Sequence, residues 1–103
     1  MGAIGRIGSE TAMVSRWRRR RMCVLIDERP APAGLRDISS TGAFLETVVR
    51  PELGRSVELH HPEAGAIEGV VESHEQSGIR LSFPCTDRSM AFAVAAIVSD
   101  MTA

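Results

Sequence analysis

The stretch "SVELHHPEAGAIEGVVESHEQSGIRLSF", residues 56–83, decides the fold. In "SVELHH", Val57 and Leu59 fall on one face of an alternating segment. "PEAG" turns the chain, and "AIEGVVESHE" then runs on as a long strand, with Gly69 where a bulge could sit. "QSG" turns it again. "IRLSF" alternates strictly, gathering Ile79, Leu81 and Phe83 on one side. Period-two apolar patterning cut by turn residues predicts antiparallel neighbours.

The same pattern extends toward the N-terminus. "RMCVLIDE" is short, apolar and partly β-branched, and reads as a strand. "RPAPAG", with two prolines and a glycine, reads as its break. "LRDIS" alternates Leu35, Asp37 and Ser39 against Arg36 and Ile38, and "STG" turns the chain. "AFLETVV" reads as another strand, ended by "RPELG". Five or six short strands in succession predict a mainly β domain, a barrel or sandwich of antiparallel strands. After Pro84 the pattern changes. Asp87 is placed as N-cap of a helix through "RSMAFAVAAIVSDM", whose Met90, Ala93, Val94, Ile97 and Met101 share a face expected to lie on the β unit. Part of that stripe is also a candidate partner or dimer surface. Residues 1–14 read as a flexible arm and residues 15–103 as the domain.

Charge is distributed unevenly along the 103 residues. Residues 1–26 carry six Arg and one acid, and residues 27–103 carry six Arg and twelve acids, for a net charge of −1. Five of the arginines occupy Arg16 and Arg18 to Arg21, around Trp17. A protein that coats long nucleic acids spreads basic charge over a whole face, whereas this cluster suits a compact anion. All basic residues are Arg, whose planar fork grips phosphate bidentately and stacks on flat rings. Two isolated cysteines and the lack of an apolar run of about 18 residues fit a reduced, cytoplasmic protein that does not span a membrane.

Two motifs stand out together: Arg16-x3-Arg20 ahead of the first strand, and "DISSTG", Asp37 to Gly42, at a strand end and turn. In this order, and with the closing helix, the chain resembles a stand-alone PilZ domain over about residues 15–102. The resemblance implies a six-stranded antiparallel β-barrel with a C-terminal helix, and cyclic di-GMP as ligand. It implies a bacterial second-messenger receptor whose output is motility, surface attachment or biofilm exopolysaccharide control, through a downstream protein partner. Chemistry supports the transfer residue by residue. A guanidinium matches guanine O6 and N7 bidentately, which suits Arg16 and Arg20. Ionised Asp37 can accept from guanine N1 and N2, and Ser39 can donate to a phosphate. Gly42 fits a turn conformation or a close ligand approach. Arg19 and Arg21 are alternatives to Arg20 in register. Trp17 can stack on a base or anchor the arm.

Plainer readings stand beside these. The Arg run can be a solvated arm, and "DISSTG" an Asx-type turn closing a hairpin. His60, His61 and His74 lack metal-ligand spacing, so no metal is expected. No nucleophile elbow or phosphate loop is present, so the chain reads as a binding protein and not an enzyme. Two other functions remain in play: a PilZ-like interaction module without nucleotide, and a small barrel that binds RNA or DNA through the Arg arm. The three Phe residues, at 44, 83 and 92, are not interleaved with Arg, which counts against the last.

Overall fold

The structure, a computed structural model, describes residues 21–102. Six strands, β1 (Arg21–Asp27), β2 (Arg29–Ser39), β3 (Gly42–Glu46), β4 (Ser56–His61), β5 (Gly65–Glu75) and β6 (Gly78–Ser82), precede a helix, α1 (Asp87–Thr102). All pairings are antiparallel, and the strands close a barrel in the order β1-β2-β3-β6-β5-β4, with β4 returning to β1. This is the six-stranded barrel with a C-terminal helix expected from the sequence.

Period-two patterning fills the interior. Each strand gives two buried apolar residues to the core: Cys23 and Leu25, Ala33 and Leu35, Ala43 and Leu45, Val57 and Leu59, Ile67 and Val71, Ile79 and Leu81. Phe83, Phe92 and Ala96 complete that core. Phe92 meets Phe83 edge-on at a centroid distance of 6.2 Å and His61 at 6.2 Å. Aromatic rings thereby join the helix to the barrel.

Four local expectations change. "RPAPAG" does not break the chain, because the break is a tight turn at Glu28 (φ 67°) and β2 starts at Arg29. The prolines are tolerated for a reason of geometry. Pro32 O accepts from Thr47 Oγ1 at 3.1 Å, so its backbone polar edge faces away from β1, and Pro30 shares that parity. Neither proline removes a bond from the β1–β2 ladder. Second, the β5 irregularity lies between Val71 and Ser73, and another lies between Leu35 and Asp37 in β2. Gly69 instead leaves room for Phe83, whose ring a Cβ there would meet at 3.0 Å. Third, β3 stops at Glu46, and Thr47 to Val49 lie in the following loop. Fourth, α1 is capped by Thr86 and not Asp87: Ser89 N donates to Thr86 Oγ1 (3.2 Å) and Thr86 N to Ser89 Oγ (2.9 Å), a reciprocal box.

The helix face also differs from the expected stripe. The barrel side holds Ser89, Phe92, Ala93 and Ala96, all buried. Of the anticipated residues only Ala93 faces inward, while Met90, Val94, Ile97 and Met101 are exposed. Small residues and one ring let the helix approach the barrel closely, whereas the larger aliphatics would hold it off.

Candidate functional site

The "DISSTG" segment forms the end of β2, a two-residue turn and the start of β3. The irregularity after Leu35 turns both Arg36 and Asp37 outward, while Ile38 packs on the core. Ser39 is exposed as well, so Asp37 and Ser39 share the barrel's exterior. Two rows cross the sheet here. Asp37 pairs with Phe44, Phe44 with Arg80, and Arg80 with Ser73. Ser39 pairs with Gly42, Gly42 with Ser82, and Ser82 with Val70.

Arg80 organises the first row. Its Nη1 lies 3.8 Å from Asp37 Oδ2 and its Nε 3.4 Å from Glu75 Oε2. The guanidinium carbon sits 5.3 Å from the Phe44 ring centroid, within cation–π range. Phe44 lies outside the core cluster, yet is only 9% exposed. Asp37 has a side chain 65% exposed, so its carboxylate is open to a ligand. Phe44 and Arg80 are contributors that sequence reasoning missed. Alternation places Arg80 outward between Ile79 and Leu81, but its approach to Asp37 depends on β3 pairing with β6. The order of strands in space carries that information, and no local pattern does.

In the second row, Ser39 Oγ accepts the Thr41 N–H at 3.2 Å and lies 3.1 Å from Thr41 Oγ1, a local turn bond. Gly42 has no positive φ, so conformational freedom is not its reason. A Cβ at Gly42 would come 2.4 Å from Leu81 O on β6. The glycine is required by close strand approach within the barrel itself. Its bare backbone also leaves the surface between Ser39 and Ser82 low.

Arg16, Trp17, Arg19 and Arg20 lie outside the described residues, as does the arm over residues 1–14. Arg21 is described and points elsewhere. Its Nε donates to Asp100 Oδ1 (3.1 Å), and its Nη2 to Ser99 Oγ (3.1 Å) and Ser99 O (3.4 Å); Nη1 is 3.7 Å from Glu63 Oε1. It shares the inward parity of Cys23 and Leu25, and clasps the start of β1 to the end of α1.

That clasp adjoins His61, whose side chain is fully buried. His61 Nδ1 accepts the N–H groups of Glu63 and Ala64, both at 3.0 Å, which leaves the proton on Nε2. Nε2 has no hydrogen-bond partner among the described residues and stands 4.0 Å from Asp100 Oδ1. Burial pushes the imidazole pKa below its ordinary value; Asp100 and Glu63 oppose that shift, and Arg21 adds to it. Among the described residues, no three His, Cys, Asp or Glu side chains gather as a metal site. A cleft of about 330 Å³ lies at the other end of β2, against Leu25, Asp27, Glu28, Pro30 and Val49. Arg55 binds both Asp27 and Glu28 there.

The exterior face from Asp37 to Ser73 thus offers an open carboxylate, a guanidinium over a ring, hydroxyls and a low glycine. It can accept from N–H donors, neutralise an anion and support a flat group. No family model matches the chain, and no curated protein or solved structure does.

Proposed function

We propose that this face receives cyclic di-GMP and that the arginines preceding β1 close over it. One observation carries the reading. β1 begins at Arg21 opposite Leu35, two residues from Asp37 on the adjacent strand, a separation of about 7 Å along the strand. The described start of β1, which the Arg run precedes in sequence, therefore lies beside the face that carries Asp37, Ser39 and Gly42, and this supports the reading. The five residue-to-residue steps from Arg16 to Arg21 can span up to about 17 Å when extended, enough for two forks to reach different parts of one dinucleotide.

In this reading Arg16 and Arg20 grip guanine edges and phosphates, and Asp37 accepts from a guanine N1–H and N2–H. Arg80 adds positive charge and holds the Asp37 carboxylate in place. Arg21 leaves the list of candidates because its donors are engaged by Asp100 and Ser99. Signalling proceeds by ordering of residues 15–20, which changes the surface offered to a partner protein. Ordering costs about 1–2 kcal/mol per residue, and charge-assisted hydrogen bonds of about 1.5–3 kcal/mol each offset it. The role is binding without catalysis, in a cytoplasmic bacterial receptor. Among the described residues no helix is long and apolar enough to cross a membrane.

A second reading, an interaction module of the same fold without nucleotide, is favoured by one observation. Ser39 and Gly42 each have a structural reason to be present, in the turn bond and in the approach to Leu81 O. Calorimetry with cyclic di-GMP, with GTP as control, separates the two. Saturable binding that weakens with salt and is reduced in both Arg20→Ala and Asp37→Ala supports the receptor. Absence of binding supports the module, whereas binding with unchanged affinity in both variants removes the assignment of Arg20 and Asp37 to the site. A mobility-shift assay with a random oligonucleotide tests the nucleic-acid reading alongside.

A further inference from the structure

The outward face of α1 is unused by the barrel and by the proposed nucleotide face. Met90, Ala91, Val94, Ile97, Val98 and Met101 are all exposed and all apolar. Met90 is 45% exposed, Val94 60%, Ile97 42% and Met101 74%. Between Arg88 and Asp100, no charged or polar side chain interrupts that face. A helix that covers a barrel ordinarily turns charge toward water. Here the packing face and the solvent face are both apolar, which is the pattern of a helix covered on two sides.

The spacing of Met90, Val94, Ile97 and Met101 is four, three and four. This is a d-a-d-a seam over two heptads. Beside it, Ala91 is small and Ala95 is half-buried, so a second helix could approach to about 8 Å. We infer that α1 pairs with α1 of a second copy of this chain, antiparallel, about a two-fold axis between Val94 and Ile97.

Three arguments select a second copy. The first is area. The seam residues and Val98 expose on the order of 500 Å² per copy, the size at which the largest apolar patch of a monomer is often functional. Joining two copies buries about 1,000 Å², the lower bound for a specific interface. The second is self-complementarity. In an antiparallel pair, Met90 meets Met101 of the second copy and Val94 meets Ile97 of the second copy. Adaptable thioethers close the ends and β-branched side chains fill the centre, which is the isologous match a two-fold axis requires. The third is charge. The face offers nothing for an acidic or basic partner to recognise, while antiparallel packing sets opposed helix dipoles side by side. The pairing does not depend on the nucleotide reading.

Sedimentation equilibrium of the full chain tests it. The mass should rise from 11.1 kDa toward twice that value between about 5 and about 500 µM, a window set at the weak end because buried area alone does not fix affinity. Val94→Glu should weaken the dimer at least about tenfold, with helix content and melting temperature retained, since Val94 points to solvent. Oxidising a mixture of the Val94→Cys and Ile97→Cys variants, each in a Cys85→Ser background, should give the mixed disulfide in excess. A chain monomeric throughout that range overturns the proposal, as does a dimer indifferent to Val94→Glu. Dominance of disulfides between two Val94→Cys chains overturns the antiparallel arrangement. A monomer with nuclear Overhauser contacts from the Ile97 methyl groups to residues 1–20 also overturns it, and names that segment as the cover.

Discussion

Gly42→Ala separates the two reasons for a glycine at the end of "DISSTG". If the residue serves only ligand approach, alanine should weaken binding and leave the fold alone. The structure argues otherwise. The new Cβ would stand 2.4 Å from Leu81 O, about 1 Å inside an ordinary carbon–oxygen contact. The obstructing atom is backbone in a paired strand, so relief requires β3 and β6 to separate along the register Gly42↔Ser82 and Ala43↔Leu81. Overpacking of this kind costs about 1–3 kcal/mol. In a domain of this size, 1 kcal/mol lowers the melting temperature by about 4–8 °C, so a drop of about 8–16 °C is expected for a cost near 2 kcal/mol. Asp37→Ala is the matched control. Its side chain is 65% exposed and its ion pair with Arg80 spans 3.8 Å, so stability should change by less than about 0.5 kcal/mol. Thermal unfolding followed by circular dichroism measures both. A Gly42→Ala protein that melts with the parent would refute the close-approach argument, and any loss of cyclic di-GMP binding would then belong to the ligand contact.

Three further outcomes follow from buried groups. The folded state holds the His61 pKa below the unfolded value by burial, so the unfolded chain binds more protons as pH falls below about 6.5. The corresponding stability is present above that pH and is lost progressively below it; urea midpoints at about pH 7.5 and about pH 5.5 should differ, and His61→Gln should narrow the difference. Burial pushes the Cys23 thiol up to about 11, with Asp100 adding and Arg21 opposing. At about pH 8, a thiol reagent should therefore modify exposed Cys85 at once and Cys23 only after unfolding. Arg21→Ala removes the bonds to Asp100 and Ser99 and should cost about 1–2 kcal/mol in chemical denaturation; calorimetry with cyclic di-GMP should show unchanged affinity.

The barrel was legible wherever one strand face is core and the other solvent. Val57 and Leu59, or Ile79 and Leu81, announce their inward direction by alternation alone, and both pairs lie in the core. Pro30 and Pro32 were misread because their effect depends on which flank of the strand has a neighbour, and composition does not record that. The helix face was misread because Met90, Val94 and Ile97 outrank Ala93 and Ala96 in hydropathy, while contact with a barrel rewards small volume. In the candidate site, Asp37, Ser39 and Gly42 were visible as a motif with fixed spacing. Phe44 was hidden inside an apolar run, and Arg80 enters only through a pairing between strands far apart in sequence. The register of the proposed ligand arginines was open among Arg19, Arg20 and Arg21; of these only Arg21 is described, with its donors engaged by Asp100 and Ser99.

The prolines of β2 have a consequence for association. β3 reaches only as far as Gly34 on that strand, so the stretch before it is a short open rim of the sheet. The two positions whose donors would point out along that rim are both proline, and the carbonyl of Pro32 is already taken by Thr47. A foreign strand seeking to add there would find no amide hydrogen to accept. The proline rings thus guard the barrel against ladder-type aggregation at this gap.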